Sequence, residues 1–283
     1  MSRRGPDWYD AQYNSRGRIP EHPAILQHWA EASAAARSQR RCLLDIAYGD
    51  GERERLDVFP AARPGSPVLV YIHGGYWRAL DKGAQSFVAP PFVDAGAMVV
   101  LPGYALCPQV TIEHIVLQLT RALAWVWRHA AEHGGDPRRI VVAGHSAGGH
   151  LAAMMLRCEW QRVAPDLPAD LVRHALAISG VFDLEPLRHA PFLAPDLRLS
   201  AADARRLSPA NMPAPAGELI AVAGGDESEE FQRQNALIAR AWGPRAVPVC
   251  ELIPGRHHMN VLHDLADPAT RLHALARGVL FGE

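Results

Sequence analysis

The chain has 283 residues, 48% of them hydrophobic and 21% charged. That is enough apolar material to bury a sizeable core, and it excludes a mainly disordered chain. The formal net charge is −1, with basic residues spread along the sequence and Lys82 as its only lysine, so no electrostatic footprint for nucleic acid or an anionic membrane is visible.

Taken in order, the opening MSRRGPDWYD has no apolar stretch behind its basic residues, so no secretory signal is expected. No apolar run reaches the roughly 18 residues of a membrane-spanning helix. Cys42, Cys107, Cys158 and Cys250 lie far apart with no CxxC pair, which argues against a zinc ribbon or a disulfide framework and suits a reducing compartment. The expectation is a cytoplasmic protein. Residues 1–40 read as an N-terminal helical extension, with a helix from Pro23 to about Arg37. Ala24, Leu26, Trp29 and Ala30 do not make a wide apolar stripe, so this helix is expected to lie on a domain surface. CLLDIAYG and ERLDVFPA flank the turn-forming GDG at 49–51, the pattern of a β-hairpin.

Beyond a loop at 60–67 the pattern changes. VLVYI (68–72), AMVVL (97–101), RIVVA (139–143), ALAIS (175–179), ELIAVA (218–223) and VPVCELI (247–253) are short, nearly continuous apolar runs. Parallel strands buried on both faces require such runs. Helical segments lie between them, the clearest over Glu113 to Glu132, where Ile115, Leu119, Ala122 and Val126 recur on one face. The alternation implies right-handed crossovers and a mostly parallel twisted sheet with helices on both faces, in one α/β domain spanning 1–283. The Pro-rich stretch 186–215 is too long for a simple crossover. It is either a lid-like excursion near a site or a long surface connection.

The most informative stretch is RIVVAGHSAGGHLAAMML (139–156). It places G-x-S-x-G, as Gly144-His145-Ser146-Ala147-Gly148, between a buried strand and a helix, the setting a nucleophile elbow needs. The turn is so tight that residues two positions either side of the serine must lack side chains. The next N–H, that of Ala147, falls at a helix N-terminus, where developing negative charge is favoured. A second signal, His73-Gly74-Gly75-Tyr76-Trp77, follows the strand VLVYI. Its glycines let main-chain N–H groups of Gly74 and Gly75 join that of Ala147 around an oxyanion.

A serine hydroxyl needs a base, and the base needs an acid to fix its tautomer. In this architecture the chain order is serine, acid, histidine. His258 follows the last strand-like run and the turn residues Pro254-Gly255, with His257 as its neighbour and rival and His263 further into the next helix. His145 and His150 are too close to Ser146 in sequence to reach its oxygen from the far side. His129 and His133 sit one turn apart without the glutamate a zinc protease needs. For the acid, Asp226 and Glu227 both follow ELIAVA, and periodicity does not choose between them. Asp183 is a third candidate, whose competing role is capping the segment after its strand.

These residues together resemble the α/β-hydrolase superfamily, and within it the kynurenine formamidase (arylformamidase) group with its bacterial esterase-like relatives. The resemblance runs from about Tyr9 over nearly the whole chain. It rests on HGGYW at 73–77, GHSAGGHL at 144–151, SGVFDLEPL at 179–187 and ESEEFQRQ at 227–234. Relatives carry D-S-x-E-F-x-R-Q in the last segment, which implies Glu227 in the acid's place, and an apolar residue after the base, as Met259 follows His258. Tyr76 stands where hormone-sensitive-lipase-like esterases carry a third glycine, and Tyr76 and Trp77 are thereby placed to line an acyl or aryl pocket. Core or lid packing is the competing role of both rings.

The resemblance implies a serine hydrolase with the triad Ser146, Glu227 and His258, without metal or cofactor. Its implied substrate is a small aryl formamide such as N-formylkynurenine. A broad carboxylesterase acting on short-chain or aryl esters is the alternative, and a non-catalytic hydrolase-fold binding protein lies further off. Homodimerisation is left open.

Overall fold

The apolar runs beyond residue 60 and the hairpin before them join edge to edge. The structure, a computed structural model, describes residues 4–282, so the first three residues of the expected N-terminal extension, and Glu283, lie outside it. Eight strands form one sheet: β1 (Leu43–Ala47), β2 (Arg55–Phe59), β3 (Ser66–Ile72), β4 (Met98–Pro102), β5 (Gly135–His145), β6 (His174–Ile178), β7 (Glu218–Gly224) and β8 (Val249–Ile253). Their order is β1-β2-β4-β3-β5-β6-β7-β8. The β1–β2 and β2–β4 pairings are antiparallel, and those from β4 through β8 are parallel.

Alternation along β3 explains why its run is unbroken. Val68, Val70 and Ile72 pack into one layer with Ile115, Leu119 and Leu123 of the helix Ile112–His129. Leu69 and Tyr71 pack into the opposite layer with Trp29, Leu272 and Leu280. A strand covered on both faces has no solvent side on which polar residues could alternate. The helix Ala147–Leu156 directly after β5 is buried almost all round, as its sequence AGGHLAAMML requires.

The N-terminal helix runs His22–Gln39 and lies on the domain surface, with all but four of its residues exposed or half-buried. Its buried stripe is Ile25, Trp29, Ser33 and Ala36, a helical spacing hidden in the sequence because two of its four members are small. Ser33 contributes through its hydroxyl, which donates to the Ala84 carbonyl and accepts from the Phe87 N–H. The stretch 186–215 folds into short helical turns, including Ala194–Leu197 and Ala201–Arg206. Leu193, Leu197 and Leu207 anchor it in the core.

Candidate active site

β5 delivers Ser146 on a turn that only glycine neighbours allow. A Cβ on Gly144 would lie 2.2 Å from the Gly148 carbonyl oxygen, and one on Gly148 would lie 2.1 Å from the Ile72 carbonyl oxygen. Ser146 itself has φ 56° and ψ −118°, a strained conformation for a residue with a side chain. Its amide is fixed by the Ile178 carbonyl at 2.8 Å, so the sheet holds the turn shut.

The end of β8 brings His258 to this point, and the end of β7 brings Glu227. His258 Nε2 lies 3.0 Å from Ser146 Oγ, and His258 Nδ1 lies 2.7 Å from Glu227 Oε2. Because the carboxylate only accepts, Nδ1 carries the proton and Nε2 is left free to accept from the serine hydroxyl. The Glu227 side chain is fully buried. Its Oε1 accepts from the Gly224 N–H at 2.7 Å and from Ser179 Oγ at 2.5 Å. Phe231 packs against the His258 ring, with centroids 4.2 Å apart.

The rivals stand elsewhere. Asp226 is exposed. Asp183 accepts from the Glu185 N–H and faces Arg233, the capping role weighed against it. His257 binds Glu21 through Nε2 and accepts the Met259 and Asn260 amides at Nδ1. His145 makes no hydrogen bond to Ser146 Oγ; its Nε2 donates to the His258 carbonyl oxygen at 2.7 Å. Burial, and then the neighbouring His258 ring, hold His145 neutral, well below the usual imidazole range. That contact escaped the sequence, in which 113 residues separate the two rings.

The loop after β3 lies alongside. An added Cβ at Gly74 would come within 3.2 Å of Ser146 Cβ, so the two backbones are adjacent. The N–H groups of Gly74, Gly75 and Ala147 have no acceptor among the described residues. His73 steadies this loop. Its ring stacks on Tyr104 at 4.2 Å, and the Tyr104 hydroxyl donates to the His73 carbonyl at 2.8 Å. Gly75, Tyr76 and Trp77 have φ of 105°, 51° and 55°, and this left-handed run splits the two aromatic side chains. Tyr76 lines the cavity at Ser146. Trp77 does not, which corrects the expectation for it: its ring is fully buried and meets His150 edge-on at 5.1 Å.

That cavity has a volume of about 150 Å³ and reaches Ser146 and His258. Its remaining walls include Asn14, Leu26 and Trp29 of the N-terminal segment and Phe192 of the 186–215 stretch, so both excursions border the site. No group of three or more His, Cys, Asp and Glu suited to a metal occurs among the described residues. Nor is any described helix long and apolar enough to cross a membrane.

Comparison with known proteins narrows the architecture to a family. The kynurenine formamidase of Danio rerio is 30% identical over 272 residues, spanning 93% of this chain and 89% of that protein. The chain belongs to the kynurenine formamidase family of α/β-hydrolases. The family profile BD-FAE matches residues 56–166. A crystal structure from Silicibacter sp. TM1040, for which a thioesterase activity has been suggested, superposes with a TM-score of 0.83 at 32% identity, over 96% of this chain and 98% of that one. Esterase LipQ of Mycobacterium tuberculosis is 34% identical over 191 residues, 64% of this chain and 45% of that protein. Like other family members, the chain is a hydrolase acting on small ester or amide substrates.

Proposed function

We propose that this hydrolase cleaves a small aryl formamide of the N-formylkynurenine type through a formyl-serine intermediate. The observation that carries the reading is the unbroken hydrogen-bonded line from Ser146 through His258 to Glu227 at the wall of a 150 Å³ cavity. A void of about that volume takes one benzene-sized ring, which suits a one-carbon acyl group on an aromatic amine and disfavours long acyl chains.

In this reading His258 Nε2 takes the Ser146 proton as Oγ attacks the formyl carbon. The Gly74, Gly75 and Ala147 N–H groups hold the oxyanion, each such donor being worth roughly 10²–10³ in rate. His258 then returns the proton to the leaving amine, and water, deprotonated by the same imidazole, releases formate from Ser146. Glu227 keeps His258 in the one tautomer able to do this. The family relationship to kynurenine formamidases supports the substrate, and the likeness to Esterase LipQ favours short-chain or aryl esters as the second reading.

The two separate on one comparison, kcat/KM for N-formylkynurenine against p-nitrophenyl acetate and butyrate. The formamide is expected to win, with Ser146→Ala lowering kcat by about 10⁴-fold on either class. Faster turnover of the butyrate ester than of the formamide would refute the formamidase reading. A Ser146→Ala enzyme within tenfold of the parent would refute the acyl-serine mechanism.

A further inference from the structure

The residues lining the cavity at Ser146 include two arginines and no carboxylate. Arg78 is already answered: Asp196 pairs with its guanidinium, which also lies 5.5 Å from the Phe192 ring centroid. Arg16 is not. It lies exposed on the short helix Ser15–Arg18 and makes no hydrogen bond or ion pair with any described residue. The backbone that presents it is nonetheless fixed, because Asn14 Oδ1 accepts the Gly17 N–H at 3.0 Å and Ser15 is buried. Apart from Asp196, the acidic groups nearby are Glu21, Asp226 and Glu227, which with Arg18 line a neighbouring cavity that shares Ser15 and His258 with this one. An unanswered guanidinium therefore lines the cavity that reaches Ser146, whose own lining holds no carboxylate, whereas these three carboxylates line the neighbouring one.

We infer that Arg16 is a specificity-determining residue, pairing with a carboxylate carried on the aromatic leaving group of the substrate. The inference rests on the aryl formamide reading and names the charge of the substrate class. A guanidinium offers a carboxylate two parallel N–H donors, and a wall free of acidic side chains leaves that attraction uncancelled. Neutral aryl formamides would fit the same cavity without using it.

The test is the ratio of kcat/KM for 2-formamidobenzoate to that for formanilide, which differ by one carboxylate. Arg16→Gln is expected to lower this ratio about fivefold, the upper range for a solvent-exposed ion pair, through KM and not kcat. Arg16→Glu should lower it further. About 0.5 M NaCl should shrink the parent's ratio and leave that of Arg16→Gln nearly level. A ratio unchanged within twofold in both variants overturns the assignment. If the parent hydrolyses neither formamide, the formamidase reading fails by itself, and the ratio is taken instead on 3-carboxyphenyl acetate and phenyl acetate. There too an unchanged ratio overturns the role of Arg16.

Discussion

Replacing Glu227 by glutamine changes one buried oxygen to an NH₂ group, and the surroundings decide which one. Oε1 accepts the Gly224 N–H at 2.7 Å, and that donor is fixed backbone with no alternative partner. Turning the NH₂ toward it would set two donors against each other and leave a buried N–H unsatisfied, at about 1–3 kcal/mol. The oxygen therefore stays with Gly224 and the NH₂ faces His258 Nδ1. An NH₂ only donates, so Nδ1 must become the acceptor and the imidazole proton moves to Nε2, the atom 3.0 Å from Ser146 Oγ. Nε2 then has no lone pair for the serine proton. A triad trapped in the wrong tautomer loses roughly 10⁴ in kcat, about 5.5 kcal/mol of barrier at 1.36 kcal/mol per decade. KM should move little, because Glu227 is not among the residues lining the cavity at Ser146. Steady-state kinetics on p-nitrophenyl acetate, with a thermal melt to confirm folding, reads this directly. Asp226→Asn, at an exposed side chain, should stay within about twofold of the parent. A Glu227→Gln enzyme retaining more than a tenth of parental kcat, or an equal loss in Asp226→Asn, would refute the argument.

Two further expectations follow from the same geometry. Gly75→Ala would place a Cβ 2.2 Å from the Ala79 carbonyl oxygen at a backbone φ of +105°, displacing the loop that carries the proposed oxyanion donors. A kcat loss of about 10²–10³-fold with a cooperative melt is expected, and parental kcat would count against those donors. Stability should fall steeply on acidification, because burial presses His73 and His150 down to about 4 and His145 well below its usual value. Between pH 4 and 6.5 the unfolded chain binds protons that these folded imidazoles refuse, so stability is full above 6.5 and lost as pH falls toward 4. The loss is about 3 kcal/mol for each of His73 and His150. A melting temperature level from pH 7 to 4.5 would refute it.

What the sequence disclosed was whatever chemistry writes locally. The elbow was legible because Gly144 and Gly148 meet main-chain oxygens within the same strand–turn–helix or on the adjoining strand, a constraint that no other residue type meets. The strands were legible because burial on both faces removes polar alternation. The choice between Asp226 and Glu227 had to come from resemblance, since its physical basis is the Gly224 N–H and the Ser179 hydroxyl, which converge only when β6 and β7 pair. Trp77 was misplaced because two non-glycine residues at positive φ turn adjacent aromatics in opposite directions, a strain that composition does not announce. Lys82, unremarkable as a lone lysine, is a buried cation held between the exposed Asp45 at 2.7 Å and the buried Asp57 at 2.8 Å, and removing the buried partner of such a pair costs about 3–5 kcal/mol. The walls of the cavity at Ser146 include Arg16, Trp29 and Phe192, on segments whose sequences carry no catalytic signature and which reach the site only through long-range packing. The reaction class was thus legible in a few tight turns around residues 74, 146 and 258, whereas the remaining walls of the cavity come from distant segments. Exchanging residues 14–29 or the loop at Phe192 between relatives should therefore alter selectivity while leaving the acyl-transfer chemistry in place.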